Sequence, residues 1–131
     1  MTHDQVQQWL DGYIAAWASN DPSEIGALFT EDVEYSYRPW VDDKVTVNGR
    51  DAVVESWISS EEDPGIAGAG AWEASYSPYV VEGNKTVAIG WSKYSMGGDG
   101  KDRLYHNAFL IEFDDDGHCS SFREFWFLDG K

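Results

Sequence analysis

The sequence predicts an α+β fold in which helices come first and long antiparallel strands follow. Apolar residues recur at helical spacing in the first part of the chain, and after Gly70 the period changes to the two-residue alternation of strands. The stretch from Tyr105 to Phe127 has the pattern of two long strands joined at Asp116-Gly117, a dipeptide suited to a hairpin turn. This order indicates helices that cover one face of a curved antiparallel sheet.

Two helices are expected at the start of the chain. The spacing of apolar residues predicts an amphipathic helix over Asp4–Ser19, which stops at Asn20. Asp21 and Pro22 then favour a second, short helix ending near Leu28, because aspartate is a good cap and proline suits the first helical position.

Two short strands and a third helix follow. The strands are predicted at Val33–Tyr37 and Lys44–Val47, and the helix at Arg50–Ser60. Asp63–Gly70 is rich in glycine, alanine and proline, so we expect a connecting loop there, with a lid as the alternative.

The long strands place two polar side chains where large apolar ones are expected. Strands are predicted at Ala71–Val81 and Thr86–Met96, before the hairpin. Within the hairpin, two-residue alternation puts Asn107 and Glu124 among large apolar residues. Both faces of these strands are largely apolar, which predicts a sheet covered on both sides.

The composition excludes several classes of partner. A net charge of −15 argues against nucleic acid and anionic membrane surfaces, which are polyanions. No stretch approaches the ~18 apolar residues of a membrane span. The N-terminal residues lack the features of a signal peptide, and the lone Cys119 gives neither a disulfide framework nor zinc-ligand spacing. We therefore expect a cytoplasmic protein with no metal and no cofactor, its 131 residues forming one domain.

Five runs spread along the chain form a recognisable pattern. They are Tyr13-Ile14-Ala15-Ala16-Trp17, Asn20-Asp21-Pro22, Leu28-Phe29-Thr30-Glu31-Asp32-Val33, Gly49-Arg50-Asp51-Ala52-Val53 and Phe122-Arg123-Glu124-Phe125-Trp126. The pattern resembles the nuclear-transport-factor-2-like, or SnoaL-like, superfamily, and it covers nearly the whole chain. The resemblance implies a single SnoaL-like domain over residues 1–131, a cone in which a curved sheet wraps around three helices and leaves a deep pocket. It also implies a homodimer through the other face of the sheet.

The ketosteroid isomerase branch of that superfamily gives the sharpest comparison. Tyr13 matches its oxyanion-hole tyrosine, and Asn107 stands where that branch has an oxyanion-hole carboxylic acid. The aspartate base of that branch is missing, since this chain has Tyr37-Arg38-Pro39 at the corresponding position. The resemblance to SnoaL-like polyketide cyclases implies instead a late acidic residue, for which Glu124 is the candidate.

The residues themselves leave two interpretations of the site open. Glu124 lies between Phe122 and Trp126 in the strand alternation, so desolvation should raise its pKa toward the range of a general base. In the other interpretation Glu124 forms a structural ion pair with Arg38 or Arg50.

Tyr13 and Asn107 have the same ambiguity. They are either donors for a developing oxyanion or buried polar groups that are hydrogen-bonded to each other or to water.

Aromatic residues are the candidates for lining the pocket. The chain has seven tryptophans and seven tyrosines, and small-molecule pockets are mainly aromatic and apolar. The candidate ligand-binding residues are Trp17, Tyr37, Trp40, Trp57, Trp72, Trp91, Phe109, Phe122 and Trp126.

These observations predict a pocket protein for a small, largely apolar ligand that carries a carbonyl or hydroxyl group. The favoured activity is isomerisation or cyclisation by proton transfer next to a carbonyl, with Glu124 as base and Tyr13 and Asn107 as oxyanion donors. A non-catalytic binding or assembly domain is the alternative, and a hydrolase or dehydratase is the second. We expect a homodimer through the sheet face that carries Leu104, His106, Leu110, Phe125 and Phe127.

Overall fold

A computed structural model describes residues 1–36, 46–59, 71–95 and 101–130 of the chain. The predictions for Tyr37, Arg38, Trp40 and the Asp63–Gly70 loop lie outside these ranges. The elements in chain order are α1 His3–Ser19, α2 Pro22–Gly26, β1 Phe29–Ser36, β2 Thr46–Asn48, α3 Arg50–Ser59, β3 Ala71–Glu82, β4 Lys85–Ser95, β5 Arg103–Phe113 and β6 Cys119–Leu128.

Local sequence signals fix both ends of the first helix. The Thr2 side chain accepts a hydrogen bond from the Gln5 backbone N–H, and the Gln5 side chain accepts one from the Thr2 backbone N–H, which makes a capping box. Asn20 ends α1 in the left-handed conformation with φ 56°, so the predicted stop is confirmed. The side chain of Asp21 accepts from the Ser23 backbone and begins α2 as predicted.

The six strands found in the described ranges form one sheet in the order β2-β1-β6-β5-β4-β3. Neighbouring strands run antiparallel except for β1 and β6, which pair in parallel. The predicted α+β class with a curved sheet is confirmed, and the structure shows that the sheet is unclosed. The first strand begins at Phe29 rather than Val33, because Phe29 pairs with Cys119 at the start of β6.

The two faces of the sheet differ in burial. Along β5, Tyr105, Asn107, Phe109, Ile111 and Phe113 are buried, and the residues between them are only half-buried. We call the first side the inner face, because α1 packs against it, and the second side the outer face. The inner face and α1 form the core, in which the ring of Trp9 lies edge-on to Phe113, 5.5 Å between centroids.

Apolar burial on this scale is the main stabilising term of the fold. The largest side chains in the core that are almost fully buried are Phe29, Phe109, Phe113, Phe122, Leu10, Ile25 and Ile111.

Candidate functional site

Glu124 is the polar centre of the inner face. Strand pairing sets it opposite Phe109, with Phe122 and Trp126 two residues away on the same side of β6. The side chain is half-buried. Burial raises the pKa of the Glu124 carboxyl from its ordinary 4.5 to about 7, although a hydrogen bond from Asn107 acts in the opposite direction.

A line of hydrogen bonds crosses four strands to reach this carboxylate. Asn107 Nδ2 donates to Glu124 Oε1 at 3.2 Å, and Ser92 Oγ donates to Asn107 Oδ1 at 3.2 Å. The hydroxyl of Tyr76 is hydrogen-bonded to Ser92 in turn. Because Ser92 engages the amide oxygen of Asn107, the amide nitrogen is the group that points to Glu124.

Two buried phenols form the second polar feature. The hydroxyls of Tyr13, on α1, and Tyr35, on β1, are 3.1 Å apart, and either can be the donor. Both rings stack on Phe122, with centroid distances of 5.4 Å for Tyr13 and 4.7 Å for Tyr35. Burial raises the pKa of Tyr13 and of Tyr35 well above the ordinary value, and the negative charge of Glu124 raises both further. Both phenols therefore stay neutral and remain hydrogen-bond donors at physiological pH.

The described residues give Glu124 no basic partner. Arg50 is exposed at the beginning of α3, so the structural ion pair expected with it does not form. Burial and the hydrogen bond from Asn107 are the two influences that set the pKa of Glu124. Arg38, the other expected partner, lies outside the described residues.

The structure brings most of the predicted aromatic residues to the inner side of the sheet. Trp17 on α1 contacts Trp57 on α3 at 5.2 Å and Trp72 on β3 at 6.4 Å between centroids. Phe109 packs against Phe122 at 4.9 Å. The register also puts Trp126 opposite Asn107.

Trp91 lies on the other side of the sheet, and the prediction for it is corrected. Trp91 pairs with His106, which alternates with Asn107 along β5, so Trp91 belongs to the outer face. There its side chain is 37% exposed. Trp91 was selected for its aromatic character, whereas the register of β4 against β5 decides which way it points.

A separate group of ligating side chains lies in the turn between β5 and β6. Asp114, Asp116 and His118 bring ligating atoms within 4.8 Å of one another, beside a cleft of about 320 Å³. Asp114 Oδ1 accepts hydrogen bonds from the backbone N–H of Asp116 and of His118. Its carboxylate therefore shapes the turn, in the manner of an Asx turn.

Sequence reasoning missed Tyr35, Tyr76 and Ser92. Tyr35 lies on β1, whose partner β6 is distant in the sequence. Tyr76 and Ser92 lie on successive strands, but their positions relative to Glu124 depend on the register of each pairing between β3 and β6, which local patterns do not specify. The available signal for Tyr76 was its alternation with Trp72 along β3, which puts both on one face.

The comparisons with known proteins agree with the fold described above. A family model described as a SnoaL-like domain matches residues 10–122. The chain belongs to the SnoaL-like family. A search among curated proteins finds no match to this SnoaL-like chain. Among its described helices, none has both the length and the apolar character needed to cross a membrane.

Solved structures with the same fold include proposed enzymes of different classes. A proposed isomerase from Bacillus subtilis is 16% identical with a TM-score of 0.73, and the match covers 97% of this chain and 90% of that one. A proposed ketosteroid isomerase from Kribbella flavida is 20% identical with a TM-score of 0.63, covering 95% and 79%. An LEH-like epoxide hydrolase from M. tuberculosis is 11% identical with a TM-score of 0.66, covering 95% and 84%. At these identities the likeness shows the fold alone.

Proposed function

We propose that this SnoaL-like protein binds a small, largely apolar carbonyl compound and catalyses an isomerisation or cyclisation by proton transfer, without a cofactor. The observation that carries the proposal is the state of Glu124. Its carboxyl lies among aromatic rings, has a pKa raised to about 7 and, among the described residues, has no basic partner. A general base works best when its pKa is near the operating pH.

The proposed reaction begins with Glu124 as base. An oxygen of its carboxylate takes a proton from the carbon next to the carbonyl of the ligand, and the carbon–hydrogen electron pair becomes part of an enolate. The Tyr13–Tyr35 pair has two hydroxyl protons and uses one between its members. When Tyr35 is the donor within the pair, the Tyr13 O–H can donate a hydrogen bond to the enolate oxygen, which stabilises the negative charge that develops there.

The second half of the reaction decides its class. If protonated Glu124 returns its proton to a different carbon of the enolate, the product is an isomer. If the enolate carbon attacks a second carbonyl of the same molecule, a ring closes, and the proton passes to the new alkoxide. Neither route needs an oxidant or a reductant, because atoms and electrons balance within the ligand.

The role that we propose for Asn107 differs from the oxyanion donor expected from the sequence. Its amide nitrogen donates to Glu124 Oε1, so the side chain orients the base and stabilises its ionised form. We therefore assign Asn107 as a positioning residue and the Tyr13–Tyr35 pair as the source of the hydrogen bond to the oxyanion.

Deuterium exchange into a simple ketone tests the proposal. We expect the protein to accelerate exchange of the acidic protons of β-tetralone in D₂O, followed by proton NMR. Glu124→Gln keeps the shape of the side chain and removes the proton acceptor, so the rate should fall by about 10²–10⁴. The matched control is Glu34→Gln, since Glu34 is exposed on β1 and should leave the rate unchanged.

The same experiment separates the enzyme from a binding protein. Wild-type protein that is saturated with β-tetralone but exchanges its protons no faster than buffer would support the non-catalytic alternative. The hydrolase or dehydratase alternative requires several acids and bases at one site. Among the described residues, Glu124 is the one carboxylate that raises the pKa of Tyr13, Tyr35 and Tyr76.

We also propose that residues 1–131 act as one domain and that a second copy covers the outer face. Phe127, Ile89, Trp91 and Phe125 are exposed there by 61%, 43%, 37% and 36%. Such a contiguous apolar area is typical of an interface. The one cysteine, Cys119, is buried and free, as expected in the reducing cytoplasm that we propose as its compartment.

A further inference from the structure

Two tryptophans on the inner side have buried indole N–H groups that find no hydrogen-bond partner among the described residues. They are Trp57 on α3 and Trp72 on β3. The side chain of Trp57 is only 6% exposed. Burying a polar group without a partner costs folding free energy, and the large majority of buried polar groups in proteins are paired. Two such donors therefore need an explanation.

Trp9 shows that this fold can provide a hydrogen-bond acceptor for a buried indole N–H. Its Nε1 donates to the backbone oxygen of Leu28 at 3.0 Å, and its side chain is 7% exposed, nearly the same as that of Trp57. Within the part of the chain that the structure describes, the buried hydroxyl of Ser36 also has no hydrogen-bond partner, but Ser36 pairs with Arg123, whose side chain is on the outer face. The indoles of Trp57 and Trp72 are thus unpaired donors of the inner side, whereas Ser36 belongs to the outer face.

The two unpaired donors belong to one aromatic cluster. The ring of Trp17 contacts the rings of both Trp57 and Trp72. Trp57 also lies edge-on to Tyr13 at 5.2 Å and to Tyr35 at 6.2 Å, so the cluster continues into the proposed oxyanion donors. Both tyrosines are in turn affected by the charge of Glu124.

We propose that Trp57 and Trp72 are ligand-binding donors, and that the ligand is a neutral ring compound with two carbonyl-type oxygens, one for each indole. An indole N–H can only donate, so its missing partner must be an acceptor. A neutral acceptor fits better than an anion, because Trp57 is surrounded by uncharged rings and the nearby Glu124 repels negative charge when ionised. This inference rests on the proposed function and specifies its substrate class.

Three bicyclic probes that differ in their acceptors test the proposal. Tetralin has no carbonyl, α-tetralone has one and N-methylphthalimide has two. Indole N–H resonances of ¹⁵N-tryptophan-labelled protein are recorded during titration and assigned with Trp57→Phe and Trp72→Phe. We expect N-methylphthalimide to move both resonances downfield and tetralin to move neither in that direction. The Trp9 resonance should stay in place, since that N–H is already bonded.

Affinities measured by tryptophan fluorescence give a second readout. Trp57→Phe should weaken N-methylphthalimide binding about 2–10-fold, as expected for one hydrogen bond, and leave tetralin binding unchanged. Trp9→Phe is the matched control and should not change the ratio of the two affinities. Equal effects on both probes, a response of only one indole, or no binding of either carbonyl probe would overturn the proposal.

The Glu124→Gln variant separates this proposal from the proposed function. The indole shifts require no base, so they should persist in that variant while deuterium exchange is lost. Indole shifts in a wild-type protein that catalyses no exchange would retain the ligand assignment and refute the catalytic one. Exchange without indole shifts would refute the ligand assignment alone.

Discussion

The carboxyl of Glu124 is costly to ionise where it lies, because aromatic rings have replaced much of the water around it. Phe109, Phe122 and Trp126 surround it on the sheet, and one amide from Asn107 is its partner. Desolvation outweighs that single hydrogen bond, so the pKa rises to about 7. Strand alternation alone predicted this placement, since period-two alternation is a local property of the sequence. Ser92 and Tyr76 extend the line of hydrogen bonds that ends at Glu124. Their positions depend on strand register, so alternation alone could not predict them.

This raised pKa predicts an unusual dependence of stability on pH. The folded chain holds the Glu124 proton up to about pH 7, whereas the unfolded chain releases it near the ordinary pKa of 4.5. Between these values the folded state binds more protons, so raising the pH lowers the free energy of unfolding, by up to about 3 kcal/mol. Below the ordinary pKa, Glu124 does not make the free energy of unfolding depend on pH, since it is protonated in both the folded and the unfolded state.

Urea denaturation between about pH 5 and about pH 8 measures this effect. The glutamine of Glu124→Gln cannot titrate, so this variant should lose the part of the pH dependence of the unfolding free energy that Glu124 causes. Glu34→Gln should keep it. Identical slopes in wild-type protein and Glu124→Gln would show that the carboxyl is not desolvated in the folded state.

At the scale of elements, Gly90 on β4 allows Tyr76 to lie across the sheet. Gly90 pairs with Tyr76 on β3 and with Asn107 on β5. A Cβ at this position would meet the backbone oxygen of Ser75 at 1.9 Å and Tyr76 Cδ1 at 2.6 Å. The absent side chain therefore lets the Tyr76 ring pack on Phe109 at 4.7 Å and reach the hydrogen-bond line that ends at Glu124.

Gly90→Ala should thus destabilise the protein and disturb the site. Neither Ser75 nor Tyr76 can yield without a shift of the β3 backbone, and overpacking of this kind costs about 1–3 kcal/mol or more. Gly12→Ala is the control, because a Cβ there makes an ordinary 3.5 Å contact with Leu28 and alanine favours the helix by up to about 1 kcal/mol. Thermal unfolding distinguishes the two, and equal stability of Gly90→Ala and wild type would refute this account.

The elements also show which features a sequence can reveal. The capping by Asp21 and the stop at Asn20 depend on residues a few positions apart, and both were predicted. The parallel pairing of β1 with β6 joins segments about ninety residues apart, and no local pattern encodes it. Tyr35 reaches Phe122 through that pairing, so the second phenol of the site was missed.

At the scale of the whole molecule, net charge and exposed apolar surface have opposite effects on the association of two copies. The chain has a net charge of −15, which keeps copies apart, yet its outer face exposes several large apolar residues. His106 lies on this face beside Phe127, at 5.3 Å between ring centroids, and its Nε2 is 2.9 Å from Asp129 Oδ1. Leu104 and Leu110, both half-buried, share the face. Association should therefore strengthen with added salt, which screens the repulsion between copies.

A charge on the outer face should abolish the proposed dimer. Phe127→Glu replaces an aromatic ring that is 61% exposed on this face, and a two-fold interface would receive the carboxylate twice. Burying these unpaired charges is unfavourable, so sedimentation equilibrium at micromolar concentration should show a monomer for the variant and a dimer for wild type. Ile58→Glu is the control, because Ile58 is 45% exposed on α3, away from this face. A monomeric wild-type protein under these conditions would rule out the dimer, and a variant that still dimerises would place the interface elsewhere.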